Sequence, residues 1–271
     1  IIGLFYKIIN YLSIDIELLF IFDGKPPDNK QLCIQGRKEK SLKARELMEK
    51  TEDKEEKNKF EKMSTRVTKE MVEDVKELLN LLGISYIHPE VGEAEAYASE
   101  LCRMGFVDYV LSEDMDTMAY GCPRLIRNCV EKELKRKDVV SVFNYEEVIR
   151  GLNLDHSRFI DFCILCGCDY CDPVPKIGNN TALKLISKYS SIEDIIESTK
   201  YQFPDNYLEV FYCAKENFLL FYDKIKVDDL KVFTSEKDIP KLMEYLLQKI
   251  NMNEKRVTNS LKKLNNIYKT N

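Results

Sequence analysis

The amino-acid sequence predicts an α/β fold, a central and mostly parallel sheet flanked by helices, followed by a largely helical C-terminal region. Three observations carry that expectation. Short apolar runs at 18–22, 84–88 and 107–111 have the length of buried strands, and amphipathic segments of helical period lie between them. Alternation of this kind implies βαβ crossovers and parallel pairing. From Tyr145 onward the apolar spacing is almost wholly helical.

Residues 2–11 have helical spacing. The run Leu18-Leu19-Phe20-Ile21-Phe22 is short and apolar, and Asp23-Gly24-Lys25-Pro26-Pro27 closes it as a strand followed by a turn. Residues 28–63 are densely charged, with Leu32, Ile34, Leu42, Leu47, Met48 and Phe60 as the apolar positions. Such a segment cannot bury a full face, so it is expected to be exposed helix supported by Glu/Lys pairs. Thr68 caps the next helix, which sets Met71, Val72, Val75, Leu78, Leu79 and Leu82 on one face and stops at Gly83. A strand at 84–88, a helix at 93–104 and a strand at 107–111 follow. Runs at 125–129 and 139–143 read as further strands. Helices are expected at 145–152, 156–166, 182–189, 192–198 and 207–222, with two more to the end. A boundary near Gly151 would divide an α/β core, 1–150, from a helical region, 151–271.

With 271 residues, 44% of them hydrophobic, the chain can build a large core without disulfide staples. Its nine cysteines, scattered and odd in number, read as reduced thiols of an intracellular compartment. No apolar run approaches the roughly 20 residues of a membrane span, and nothing resembles a signal peptide. The chain starts at Ile1 in what reads as mid-helix, so it is expected to be a fragment. The net charge of −5 argues against nucleic acid as a partner, but basic residues gather around Arg37 to Arg45, at Lys132 to Lys137, and at Lys255, Arg256, Lys262 and Lys263. Each patch alone also fits a solvated helix face.

The chemistry lies in the carboxylates. Asp23, Glu93 with Glu95, and Asp114 with Asp116 each follow a predicted strand, and in parallel α/β sheets ligands collect beyond the carboxyl ends of the strands. Hard oxygen donors suit Mg²⁺, which keeps positions open for water and phosphate. In an extended segment Asp114 and Asp116 would point the same way. Taken singly, they also fit an ordinary turn. Glu93 and Glu95 would lie about 200° apart on a regular helix, so both can face one ion only from its irregular first turn. Acidic residues favour that position without any function. Asp169 follows a helix that ends at Gly167. Cys166, Cys168 and Cys171 lack a convincing fourth zinc ligand and read as half-buried thiols. His88 and His156 show no partner pattern. Lys176-Ile177-Gly178-Asn179-Asn180-Thr181 is a turn into a helix carrying Lys184, where backbone N–H groups can receive a phosphate. It equally fits a packing element between two helices.

Phe22-Asp23-Gly24-Lys25-Pro26-Pro27, Gly92-Glu93-Ala94-Glu95-Ala96, Glu113-Asp114-Met115-Asp116 and Gly167-Cys168-Asp169-Tyr170-Cys171 resemble, in order and spacing, the motifs of the flap endonuclease family, the structure-specific 5′ nucleases that include the xeroderma-type (RAD2) repair enzymes. The resemblance covers nearly the whole chain. It implies a PIN-like 5′ nuclease fold and a two-metal phosphodiesterase cutting 5′ flaps of branched DNA in replication and repair, with 5′–3′ exonuclease activity. Asp23, Glu93, Glu95, Asp114, Asp116 and Asp169 match the metal positions, for two Mg²⁺ ions that Mn²⁺ can replace. It further implies that 28–66 form a helical arch, with Lys30 and Arg37 facing the scissile phosphate as catalytic cations.

Residues 156–190 resemble the family's helix-two-turn-helix, in which Lys176, Ile177, Gly178, Asn179, Asn180 and Lys184 would grip duplex DNA. A monovalent cation often accompanies that turn, but relatives have Gly-Ile-Gly where this chain has Lys176-Ile177-Gly178. The family's N-terminal segment, with one more metal-ligand aspartate, is expected upstream of Ile1. No clamp-binding peptide follows Lys263, so a sliding clamp is not inferred as partner. The expected protein is a nuclear monomer with no membrane association. Two alternatives remain at this point: a non-catalytic junction-binding protein that keeps the fold, and a nuclease of the same superfamily acting on bubbles or nicked ends.

Overall fold

The computed structural model describes residues 1–26, 30–128, 140–224 and 230–270; within these, the side chains of residues 31, 32, 37, 40, 128, 220–224 and 270 are not described. In chain order the first half comprises α1 (Ile2–Leu12), β1 (Leu19–Ile21), α2 (Gln31–Lys50), α3 (Lys54–Ser64), α4 (Lys69–Leu82), β2 (Ser85–Ile87), α5 (Ala94–Arg103), β3 (Val110–Leu111) and α6 (Asp116–Ala119). The second comprises β4 (Arg124–Asn128), β5 (Val140–Asn144), α7 (Tyr145–Leu152), α8 (His156–Cys166), α9 (Asn179–Lys188), α10 (Ile192–Ser198), α11 (Tyr207–Lys224), β6 (Val232–Phe233), α12 (Ile239–Glu244), a π-helical turn at Tyr245–Lys249, and α13 (Glu254–Thr270).

The chain divides into two compact units, and neither is a continuous segment. One comprises 1–22, 40–89 and 230–271; the other comprises 23–39 and 90–229. This differs from the boundary expected near Gly151. The reason lies in the packing, because α8 and α11 share a core with the elements that precede them: Ile160, Ile164, Phe211 and Phe218 are buried in one cluster with Ala96, Ala119 and Tyr120. In the other unit Val257, Leu261 and Leu264 of the C-terminal α13 are buried with Phe5 and Ile8 of α1 and Leu78 and Leu79 of α4.

In the first unit β1 and β2 pair in parallel, Leu19 opposite Ser85, and β6 adds an antiparallel edge. The crossover between the parallel strands includes α4, which forms as its sequence dictates. Thr68 Oγ1 accepts the Met71 N–H, and Gly83 turns left-handed at φ 70° to end the helix. In the second unit β3 and β4 are parallel and β5 is antiparallel to β4. Each parallel pair therefore carries one antiparallel neighbour. The predicted strand at 125–129 extends into residues outside the described set, as does the Lys132 to Lys137 patch.

The charged segment is helical, as α2 and α3, and exposed over most of its length. Capping rather than burial holds its corner: Asp53 Oδ1 accepts the N–H groups of Glu55 and Glu56, and Ser41 Oγ donates to the Ser64 carbonyl.

The helical region of the second unit is tied together by one buried acid. Asp161 on α8, 6% exposed, receives Lys215 Nζ of α11 at 2.6 Å and Arg158 Nη1 at 3.3 Å. Arg158 also donates to the carbonyls of Ile186 and Tyr189 at the end of α9. Removing the acid would leave two cations without their partner, at a cost on the order of 3 kcal/mol. Asp161→Ala is therefore expected to lower the unfolding free energy by about that amount in a denaturant titration. A loss below about 1 kcal/mol, the range of an exposed pair, would mean that the apolar core alone holds these three helices together.

Candidate metal and phosphate site

The candidate site belongs to the second unit and begins at the N-terminus of α5. Gly24 N–H bonds to the Gly92 carbonyl at 2.9 Å and Gly92 N–H to the Lys25 carbonyl at 3.0 Å, which brings Asp23 beside Glu93. Glu93 occupies the N-cap position with extended backbone and makes no side-chain cap bond; Asp23 Oδ1 instead accepts the Ala94 N–H at 2.9 Å. A distant carboxylate thus supplies the cap, at the positive end of the helix dipole. Because Glu93 precedes the first helical turn and Glu95 lies within it, the 200° opposition of a regular helix does not apply to this pair. Ser112 Oγ donates to Glu95 Oε1 at 3.4 Å.

Asp114 and Asp116 do not lie on extended backbone, contrary to the spacing argument. β3 ends at Leu111, Met115 is helical at φ −78° and ψ −13°, and Asp116 opens the single turn of α6. Local hydrogen bonds bend the chain. Ser112 Oγ accepts the Asp114 N–H at 3.0 Å, Asp114 Oδ1 accepts the Asp116 N–H at 2.9 Å, and Thr117 Oγ1 donates to the Asp114 carbonyl at 2.8 Å. Short polar side chains of this kind compete with a sheet ladder for the backbone.

Asp169 stands in a tight turn whose base is the Cys168 and Cys171 pair, which exchange backbone hydrogen bonds of 2.9 and 3.3 Å. Gly167 makes the approach possible. Its φ is 97°, and a Cβ there would lie 2.8 Å from Pro173. Asp114, Asp116 and Asp169, with Cys166, Gly167, Cys168 and Pro173, line an open cleft of about 350 Å³.

The electrostatics show how crowded these charges are. Burial, and then the neighbouring Asp114, Asp169 and Glu93, push the Asp116 carboxyl up to about 7. Glu95 is raised by burial and by Asp23, Asp114 and Glu93. Into this field reaches Lys30, whose Nζ lies 2.5 Å from Glu93 Oε1 and 3.0 Å from Asp169 Oδ2. Although burial pulls its pKa down, the hydrogen bonds and charge of Glu93 and Asp169 raise it to about 12.

The residues fit a hard divalent cation. Six carboxylates interact across one region, while burial holds the two thiols on the cleft, Cys166 and Cys168, up at about 11 and 12, protonated and poor ligands. Among the described residues, no three of these side chains converge on a single coordination point. Glu93 and Asp169 both meet the Lys30 ammonium.

The other predicted positions lie elsewhere. The turn before α9 holds Lys176, Ile177 and Gly178, Asn179 and Asn180 open the helix, and Lys184 is exposed on it. Ile177 is 4% exposed and anchors the turn, while Gly178 is the N-cap and carries no side chain to occupy the helix N-terminus. Lys176 adopts φ 70°, a left-handed conformation that suits the glycine found there in the resembling family. Arg37 lies on α2, with its side chain outside the described residues. Lys255, Lys262 and Lys263 are exposed on α13.

Sequence reasoning missed Tyr170 and Ser112. Burial, the Glu93 charge and hydrogen bonding to Glu93 hold the Tyr170 phenol far above its usual range, and its oxygen lies 2.8 Å from that of Tyr120. The only signal was its place directly after Asp169.

Residues 83–169 match the family model of the XPG I-region. Over 97% of its length the chain is 37% identical to flap endonuclease 1 of Glycine max, covering 69% of that protein. It is 36% identical to flap endonuclease 1 of Plasmodium knowlesi, again over 97% of the chain, and spans 46% of that relative. The chain thus spans less than half the length of the Plasmodium knowlesi and Plasmodium falciparum relatives it matches. Flap endonuclease-1 from Methanococcus jannaschii superposes with a TM-score of 0.68 at 29% identity, covering 98% of this chain and 80% of that one. The catalytic core of Rad2 bound to a DNA substrate shares the fold, with a TM-score of 0.67 at 22% identity, covering 97% of this chain and 85% of that one. The chain belongs to the flap endonuclease 1 family.

Gly167→Ala is expected to lower stability by about 2 kcal/mol, through the positive φ and the Pro173 clash. Thermal unfolding of the variant checks this. An unchanged melting temperature would mean that the turn carrying Asp169 relaxes freely.

Proposed function

We propose that this protein is a structure-specific endonuclease that cleaves 5′ flaps of branched DNA and also degrades 5′ ends, in nuclear DNA replication and repair. The reading rests on one observation above the others: six carboxylates from separate parts of the sequence gather in one unit, three of them, Asp114, Asp116 and Asp169, on an open cleft, with basic helix beside them. Family membership supports the same activity. Two Mg²⁺ ions, replaceable by Mn²⁺, would lower the pKa of a water and neutralise charge on the attacking and leaving oxygens of an in-line displacement.

Each residue of the chain has a part in this reading. Asp23, Glu93, Glu95, Asp114, Asp116 and Asp169 hold the ions. Asp114, Asp116 and Asp169 line the cleft with Cys166 and Pro173, so that a phosphodiester entering it meets oxygen donors. Lys30, just before the basic helix α2, and Arg37, on it, meet charge that grows on the phosphate in the transition state. The turn at Lys176 to Asn180 offers N–H groups at the start of α9 to duplex phosphates, which fixes register without reading sequence. The protein acts as a monomer.

Asp114→Ala and Asp116→Ala are each expected to reduce cleavage of a labelled 5′-flap duplex in Mg²⁺ by at least about 10²-fold, while electrophoretic shift still reports DNA binding. Cutting at the wild-type rate by either variant would overturn the assignment, and loss of both activities would make these residues structural. Arg37→Ala should slow single-turnover cleavage much more than it weakens DNA affinity, if its charge acts in the transition state. Equal losses would identify a plain phosphate contact.

A further inference from the structure

The contact between Lys30 and two of the proposed metal ligands has a chemical consequence. Its Nζ lies 2.5 Å from Glu93 Oε1 and 3.0 Å from Asp169 Oδ2, and these three side chains are 15%, 9% and 18% exposed. The same ammonium lies 5.9 Å from the centre of the Tyr170 ring. It is therefore seated rather than waving in solvent: two carboxylates and an aromatic face receive it in a partly dehydrated place, where charge-assisted hydrogen bonds are strong. The oxygens it engages belong to residues that a divalent cation would need.

We propose that Lys30 is the protein's own competitor for the divalent cation, an internal cation that must leave Glu93 and Asp169 before the metal centre assembles. The inference rests on the reading of this site as a metal centre. A ligand that binds one arrangement shifts the equilibrium only by its preference for that arrangement, so the affinity observed for metal is reduced by the fraction of molecules in which the lysine is seated. The ammonium released by metal becomes free to meet a DNA phosphate. Metal loading and phosphate capture are thereby coupled through a single side chain.

Mn²⁺ binding to the full chain, measured by calorimetry without DNA, tests the proposal. Lys30→Met is expected to bind Mn²⁺ at least about tenfold more tightly than wild type, because the fraction of competent sites rises. Lys25→Met, which removes a charge from the exposed turn after Asp23, controls for long-range field and should shift affinity by no more than about twofold. Equal or weaker binding by Lys30→Met, or an equal gain in Lys25→Met, overturns the proposal and leaves the metal centre standing. Absence of Mn²⁺ binding in both wild type and Lys30→Met sinks the metal reading itself.

A measurement on the wild-type chain covers the case in which the variant misfolds. With ¹³C-labelled lysine, the Lys30 Cε resonance should move on Mg²⁺ addition with the same midpoint as the binding isotherm. A resonance that stays fixed while Mg²⁺ binds would refute displacement.

Discussion

Mutual repulsion among carboxylates that the fold brings together is the constraint on which the rest of this unit depends. Two like charges some 6 Å apart repel by about 3 kcal/mol at an effective dielectric of 20, and six such groups share one region here. Four of them have a compensating device. Asp23 caps α5, so its charge rests on a helix N-terminus. Asp114 accepts the Asp116 N–H. Glu93 and Asp169 share Lys30. Asp116, deeply placed and, among the described residues, without a cation at bonding distance, is the one whose pKa is pushed furthest, up to about 7.

Holding these groups requires a stiff frame behind them, and the second unit supplies it in two layers. Directly behind the acids, Tyr170 and Tyr120 share a buried hydrogen bond and both pack on Phe218 of α11. Deeper still, Asp161 joins α8 to α11 through Lys215, while Arg158 reaches the carbonyls that end α9. The turn carrying Asp169 and the turn that opens α9 both follow α8, so the one helix positions a proposed metal ligand and the proposed duplex contact. This explains why the compact units ignore a boundary at residue 150: the proposed metal ligands and the proposed duplex contact share a core.

The charged helices obey another logic. α2 and α3 bury little, and their lengths and turn are set by caps and local hydrogen bonds. A segment held this way has low local stability. That suits a structure expected to accommodate a DNA strand, and it leaves Lys30, just before α2, able to exchange one anionic partner for another.

The α/β class, the α4 helix with its Thr68 and Gly83 ends, the exposed charged helices and the identities of the six carboxylates were all legible in the sequence, because periodicity, capping and turn chemistry are local. The family motifs added the order. What local pattern could not supply was position. The bend at Met115 depends on hydrogen bonds from Ser112 and Asp114 that override the alternation suggested by spacing; the antiparallel edges depend on segments far along the chain; and Tyr170 gains its role only through Glu93, 77 residues away. The sequence by itself determined which oxygens gather. Only the tertiary structure decided that two of them, Glu93 and Asp169, meet on the Lys30 ammonium, because the seat that Lys30 finds exists only once the chain has folded.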